Sequence, residues 1–159
     1  MSKLLLVAMG MVIVVSQGRA TDEEPVKKLA TGKDLVQTLS EILPAETARG
    51  KLRNGDDCQV TFHHQAVSKV AVISIEGIQD DDVHSFIGIH AKDILTLTES
   101  SNEGTSFFRY EYSPSKRPIN VTRNAFFLTL TKSDLGFEVT LSKTGKRRHA
   151  LTCRVGWRE

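Results

Sequence analysis

The chain lacks long apolar runs outside its first twenty residues, and it has few aromatic residues. No later segment approaches the roughly 20 apolar residues of a membrane-spanning helix, so we expect no stable membrane insertion. Aromatic residues make up 6% of the sequence, which argues against extended stacking platforms for sugars or bases. The absence of internal repeats disfavours a structural matrix protein.

An excess of charge of one sign is also missing. The net charge is +2, and two of the 21 basic residues, Lys3 and Arg19, lie within the first twenty residues. The 19 basic residues beyond them balance the 19 acidic ones. A near-neutral chain lacks the basic surface of a nucleic-acid or anionic-membrane binder, so we expect no nucleic-acid partner.

The motifs of common catalytic machinery are absent from the sequence. It contains no nucleophile elbow, glycine-rich phosphate loop, zincin helix or redox Cys-x-x-Cys pair. Aspartates and glutamates occur mainly in predicted turns, without the pairing that marks a glycosidase. We therefore expect a protein that is not an enzyme and that needs no cofactor.

Residues 1–20 have the parts of a secretory signal peptide. A positive start at residues 1–3 precedes an apolar run at residues 4–15, and small residues follow up to Ala20. A retained membrane anchor is the alternative, but a run of about a dozen residues is too short to span a membrane. The sequence predicts a secreted, extracellular protein, and the 159 residues less these 20 leave 139, enough for one domain.

Cys58 and Cys153 are the only cysteines of the sequence. An even number of cysteines in an oxidising compartment predicts one disulfide bond between them. Each lies in phase with the apolar residues of its predicted strand, so the bond would tie the first strand of the domain to the last. A buried unpaired thiol and an intermolecular bond are the alternatives. A disulfide would exclude a cysteine nucleophile, since a cystine offers no thiolate.

An amphipathic helix is predicted ahead of the strands. Residues 21–32 carry charges and a proline without a regular apolar period, and they predict a flexible leader. Thr31 and Asp34 have the spacing of a capping signal. We assign residues 33–56 to the helix and its connector, and the helix either packs on the domain or serves as a removable prosegment or partner-binding helix. Its apolar residues recur at helical spacing: Leu35, Val36, Leu39, Ile42 and Leu43.

Residues 57–159 are predicted to form a β-sandwich domain. Eight short runs of alternating or β-branched apolar residues are separated by turn-rich pieces at spacings near ten residues. The absence of a helical period between them favours an antiparallel β-sandwich or jelly roll. The predicted fold class is therefore mainly β, with one N-terminal amphipathic helix. The runs are residues 58–62, 67–75, 83–89, 93–98, 105–112, 125–131, 136–142 and 149–155.

Residues 126–141 resemble the β-hairpin of galectin-type lectins. The alternation of apolar and polar residues from Phe126 to Leu141 carries the resemblance, which implies a jelly-roll sandwich. The sugar-contacting pattern of that family is not matched, because His90 is followed by Ala-Lys-Asp without Asn and Arg in phase. The resemblance therefore implies no galactose site.

Asn120 is a predicted N-linked glycosylation site. Residues 120–122 read Asn-Val-Thr, which meets the acceptor rule because the middle residue is not proline. The site follows Pro118 in a predicted loop or strand start, where a glycosyltransferase could reach it. An unmodified loop asparagine is the alternative.

Four histidines near the aspartates at residues 80–82 raise the question of a metal site. The adjacent residues His63 and His64 point to opposite faces of a strand, so they do not share an ion. Roughly 20 Å of extended chain separates His84 from His90. We therefore expect no metal ion. The aspartates predict a hairpin turn rather than a calcium site, because no EF-hand spacing surrounds them.

A basic cluster at residues 146–148 has two interpretations. The sequence Lys-Arg-Arg could bind a sulfated glycan or another anion. Because it follows Thr144 and Gly145, it also has the composition of a charged hairpin turn that keeps a sheet edge soluble.

Together these observations favour a secreted binding protein over an enzyme. We expect a non-enzymatic protein that engages an extracellular glycan or an extracellular protein through the loops or an exposed face of a β-sandwich. The alternative is a secreted effector, of venom or salivary type, that acts on a receptor or a membrane. A secreted hydrolase is less favoured, and no motif specifies an oligomeric state.

Overall fold

A computed structural model describes residues 24–43, 45–65, 69–80, 82–114, 125–143 and 150–156. These residues form ten strands and one helix. In chain order the elements are β1 (Val26–Thr31), α1 (Gly32–Ile42), β2 (Thr47–Leu52), β3 (Asp57–Gln65), β4 (Val70–Gly77), β5 (His84–His90), β6 (Ile94–Asn102), β7 (Thr105–Tyr112), β8 (Phe126–Ser133), β9 (Gly136–Lys143) and β10 (Ala150–Val155).

All ten described strands join one antiparallel sheet in the order β1-β6-β7-β8-β9-β10-β2-β3-β4-β5. Strands β6 to β10 form one meander and β2 to β5 form another, and the pairing of β10 with β2 joins the two. The prediction of a mainly β, antiparallel fold is confirmed. The β-sandwich or jelly roll is not confirmed, because the described strands are hydrogen-bonded into one continuous sheet rather than two.

Alternation along the strands places apolar side chains on one face of the sheet, which we call the inner face. In β8, Phe126, Leu128 and Leu130 are buried, whereas the intervening Phe127 and Thr129 are partly exposed. Burying one such apolar side chain stabilises a fold by roughly 1.5–3 kcal/mol. The inner face is therefore the main source of stability for the sheet.

The sheet bends sharply at β2, between its two meanders. Cys58 of β3 is opposite Gly50 of β2, and Cys153 of β10 is opposite Leu52. In a flat sheet, two positions separated by one intervening strand are at least about 9.5 Å apart. The Cα atoms of the two cysteines are 6.0 Å apart. At the bend Gly50 lies opposite both Cys58 and Val155, and a β-carbon at this position would overlap the carbonyl oxygen of Arg154. The close approach of β10 to β2 therefore requires glycine here.

Cys58 and Cys153 form a disulfide bond on the inner side of this bend. Both residues are completely buried, and the sequence separation between them is 95 residues. The predicted pairing is confirmed. It joins the third described strand to the tenth, because two further strands precede the domain start that the sequence predicted.

Two strands lie where the sequence analysis predicted none. Val26–Thr31, assigned to a flexible leader within residues 21–32, forms β1 and pairs in register with β6. Thr47–Leu52, assigned to the connector within residues 33–56, forms β2. Only Ala30 of β1 is buried, so this strand is held by backbone hydrogen bonds to its neighbour, and apolar periodicity does not reveal it.

Helix α1 packs against the inner face through one apolar stripe. Leu35 and Leu39 are completely buried. The backbone N–H of Gly32 donates to the carbonyl oxygen of Asp93, which ties the start of the helix to the turn between β5 and β6. No helix among the described residues has both the length and the apolar character that crossing a membrane requires.

A complete capping box begins the helix. The backbone N–H of Asp34 donates to Thr31 Oγ1 at 3.3 Å, and the backbone N–H of Thr31 donates to Asp34 Oδ2 at 2.7 Å. The Thr31 hydroxyl also donates to Asp34 Oδ2. These hydrogen bonds from Thr31 hold the pKa of Asp34 below its ordinary value. The box satisfies backbone donors that the first turn of a helix leaves without partners.

Replacing Thr31 by alanine is expected to lower the free energy of unfolding by about 1 kcal/mol near neutral pH. The pKa of the Asp34 carboxyl is lower in the folded protein than in the unfolded chain. Its ionised form therefore stabilises the folded state at pH values above the unfolded pKa, and this contribution is lost as the pH falls through the folded pKa. The difference in the free energy of unfolding between wild type and Thr31→Ala should therefore decrease as the pH is lowered. Urea unfolding at a series of pH values measures it.

Ser40→Ala is the matched control for this substitution. The Ser40 hydroxyl lies on the same helix and donates to the carbonyl oxygen of Val36, outside the cap. We expect its effect to stay within about 0.5 kcal/mol and to be independent of pH. If the effect of Thr31→Ala on the free energy of unfolding did not change with pH, the stabilising role given to the Thr31–Asp34 capping box would be contradicted.

Candidate functional site

The inner face changes from apolar to polar where β6 and β7 extend past the core. Along β6, Leu95 and Leu97 are buried, and the next residue in phase is Glu99, whose side chain is 32% exposed. Glu99 lies opposite Phe108 of β7, which is partly exposed. A carboxylate and an aromatic ring therefore meet at the margin of the core.

Lys28 of edge strand β1 completes this margin with an ion pair. Lys28 Nζ lies 2.7 Å from Glu99 Oε1. The hydrogen bond to Glu99 raises the pKa of Lys28. Since both side chains are partly exposed, the pair adds little to stability, and both charges remain accessible to a ligand.

Tyr110 connects the strands to the helix behind the ion pair. Its side chain is buried, and its phenolic oxygen lies 2.8 Å from Thr38 Oγ1 of α1. Burial raises the pKa of the Tyr110 phenol, so the hydroxyl stays protonated at neutral pH. The hydrogen bond fixes the separation of α1 and β7, which is the width of the opening between them.

A groove with a volume of ≈ 340 Å³ lies between α1 and the strands β1, β6 and β7. A second cleft of ≈ 460 Å³ shares Glu99 and Phe108 with it and adds hydroxyl groups from Ser100, Ser101 and Ser106. The two hollows therefore meet beside the aromatic ring. We call the first hollow the α1 groove, and its polar and aromatic lining consists of Lys28, Asp34, Gln37, Thr38, Glu41, Glu99, Phe108 and Tyr110.

The α1 groove offers hydrogen-bond acceptors beside one aromatic surface. Asp34, Glu41 and Glu99 present carboxylate oxygens that accept hydrogen bonds, and Gln37 donates to Glu41 at 3.0 Å. Phe108 adds an apolar surface. The described residues that line the groove include no cysteine and no histidine, the side chains that most often act as a nucleophile or activate one.

No protein-family model, curated protein or solved structure matches this chain. Any function given to the α1 groove therefore depends on the groove's own residues and their geometry.

Of the sequence-predicted site residues, the structure describes the two cysteines, which do not line this groove. Cys58 and Cys153 form the buried disulfide bond at the bend. Asn120 lies outside the described residues, and its glycosylation stays a prediction. The basic cluster at residues 146–148 also lies outside the described residues, and anion binding by it stays a prediction.

The histidines do not converge in the part of the chain that the structure describes. His63 and His64 are exposed neighbours on β3, and His84 and His90 are exposed at the two ends of β5. Among the described residues no group of three or more His, Cys, Asp or Glu side chains is arranged to hold a metal ion. In the turn before β5, Asp80 Oδ1 accepts a hydrogen bond from the backbone N–H of Asp82.

Sequence reasoning missed the residues that form the α1 groove. Glu99 follows Leu95 and Leu97 at the same strand spacing, so the sequence places a charged residue on an apolar strand face. This was the one feature that could have indicated a site here. Lys28 lies in the segment assigned to a flexible leader, where no periodicity indicated that it would face Glu99. Only the pairing of β1 with β6 brings the two together.

Proposed function

We propose that this protein is a secreted, non-enzymatic binding protein that engages an extracellular glycan in the α1 groove. The observation that carries the proposal is the polar margin of the apolar inner face, where Lys28, Glu99 and Phe108 surround an open hollow. Ligand sites are typically concave and combine apolar surface with a few convergent polar groups. The α1 groove has both features.

The side chains around the groove match the chemistry of a sugar. Sugar hydroxyls donate to the carboxylates of Glu99 and Glu41, and they accept from the ammonium of Lys28. The apolar C–H face of a sugar ring packs on an aromatic side chain such as Phe108. One short aromatic surface accommodates one or two sugar rings, which agrees with the low aromatic content of the chain.

Secretion is part of the same proposal. The disulfide bond supports it, because such bonds persist mainly in oxidising compartments. Residues 1–20 would supply the signal peptide, and Asn120 would carry an oligosaccharide. We further propose that the two meanders face each other as the layers of a β-sandwich do, with α1 covering part of the space between them.

A glycan array tests the proposal with the mature protein and two variants. Glu99→Gln removes the groove carboxylate charge, and Phe108→Ala removes the ring. Each is expected to weaken binding of the preferred glycan roughly tenfold, the cost of losing one charge-assisted hydrogen bond or one stacked aromatic contact.

Glu138→Gln is the matched control for Glu99→Gln. Glu138 also forms an ion pair, to Arg154 at 2.7 Å, but it lies on the opposite face of the sheet. Removing the charge of Glu138 should leave glycan binding unchanged. Equal losses in Glu138→Gln and Glu99→Gln, or no glycan binding by the wild type, would contradict the proposal. Capture of an extracellular protein that Glu99→Gln abolishes would place a protein ligand in the groove instead.

A further inference from the structure

A third hollow lies at the other edge of the sheet, where the start of β5 faces the end of β9 and the start of β10. Its volume is ≈ 420 Å³, and it shares no lining residue with the α1 groove. We call it the seam cleft, defined by Asp82, Val83, His84, Ser85, Lys143 and Leu151.

Lys143 is the cation of the seam cleft. It is in phase with Leu141 of β9, so it lies on the inner face beyond the core. Its Nζ is 4.1 Å from the centre of the Phe86 ring. Desolvation by the surrounding protein lowers the pKa of Lys143.

No described carboxylate forms an ion pair with Lys143. Asp82 lines the same cleft, but burial lowers the pKa of Lys143, and no charged group among the described residues raises it. The ring of Phe86 compensates only part of the lost hydration, since a cation–π contact contributes about 0.5–2 kcal/mol. A partly desolvated ammonium that has no counter-ion among the described residues favours an anionic ligand.

The rest of the lining defines the shape of that ligand. Val83 and Leu151 contribute apolar surface, and the largely buried Ser85 adds a hydroxyl. A volume of ≈ 420 Å³ lies near the lower end of the range for small-molecule sites. The cleft is therefore suited to a small molecule with one anionic end and a short apolar body.

We propose that the seam cleft is a second ligand site, which binds a small organic carboxylate with Lys143 Nζ as its counter-ion and Val83 and Leu151 against its apolar part. This site is independent of the α1 groove, because the two hollows have no residue in common. The protein then carries two sites of different chemistry.

Titration of the mature protein with hexanoate, followed by ligand-observed NMR, tests the proposal. Hexanamide has the same length without the charge, and it should bind roughly tenfold more weakly than hexanoate. Lys143→Gln should weaken hexanoate binding by about the same factor, while Lys143→Arg, which keeps the positive charge, should stay within about threefold of wild type. Near-UV circular dichroism verifies that each variant is folded.

Lys132→Gln and Glu99→Gln are the controls. Lys132 is exposed on β8, paired with Phe137 at the start of β9, whereas Lys143 lies at the end of β9. Both controls should bind hexanoate as wild type does, whatever happens to glycan binding in Glu99→Gln. Equal affinities for hexanoate and hexanamide, unchanged binding by Lys143→Gln, or loss of binding in Glu99→Gln would overturn the proposal, as would an absence of hexanoate binding by the wild type.

Discussion

Replacing both cysteines by alanine is expected to lower the free energy of unfolding by about 4 kcal/mol. The disulfide bond closes a loop with a sequence separation of 95 residues. In the chain-entropy model a loop of that length stabilises the folded state by about 4–5 kcal/mol, because the bond restricts the unfolded chain. Small domains are stable by about 5–15 kcal/mol in total, so the double variant should lose a large part of its stability.

Urea unfolding followed by circular dichroism measures this effect. The matched control is Thr140→Val combined with Thr152→Val, since these hydroxyls form a non-covalent link between β9 and β10 at 2.9 Å. That control should lose about 1 kcal/mol or less. Addition of a reductant should lower the stability of the wild type but not of the double alanine variant. A loss below about 1 kcal/mol in the alanine variant would contradict the role given to the disulfide bond.

Gly50→Ala is expected to destabilise the protein by about 3 kcal/mol or to prevent folding. The added β-carbon would overlap the carbonyl oxygen of Arg154, and the carbonyl carbon of the same residue lies 2.7 Å from it. Backbone atoms of β10 cannot move away without breaking the pairing with β2 that joins the two meanders. The substitution therefore acts on the bend rather than on side-chain packing.

Gly88→Ala provides the control for the Gly50 substitution. Gly88 also lies within a strand, β5, but a β-carbon there would meet no atom within 4 Å. Its effect should stay within about 0.5 kcal/mol. Thermal and urea unfolding of the two variants measure the difference. Similar stabilities for Gly50→Ala and Gly88→Ala would contradict the sharp bend at β2.

Strand positions were largely predictable because alternation is a local property. Each of the eight apolar runs predicted from residue 58 onward overlaps one of the strands β3 to β10. The strands β1 and β2 were not predictable in this way. In β1, Lys27 and Lys28 interrupt any apolar period, and only Ala30 is buried. In β2, the buried residues are Ala48 and Leu52, with Gly50 between them in phase, so the apolar alternation is weak.

The candidate site was less predictable than the fold. The Nζ of Lys28 and the Oε1 of Glu99 are in contact although the residues are 71 positions apart in the sequence. Thr38 and Tyr110 are separated by 72 positions. Neither pair belongs to a motif with fixed spacing, so each depends on which strands become neighbours.

By itself the sequence determined the strand-forming character of the chain and the partners of its disulfide bond. Alternation is set by neighbouring residues, and two cysteines allow one intramolecular pairing. Only the tertiary structure decided the order of the strands, the bend at Gly50 and the α1 groove. These features arise from contacts between distant segments, and the same local alternation is compatible with many strand orders. The choice among them is made by packing of the whole core and by backbone pairing such as that of β10 with β2.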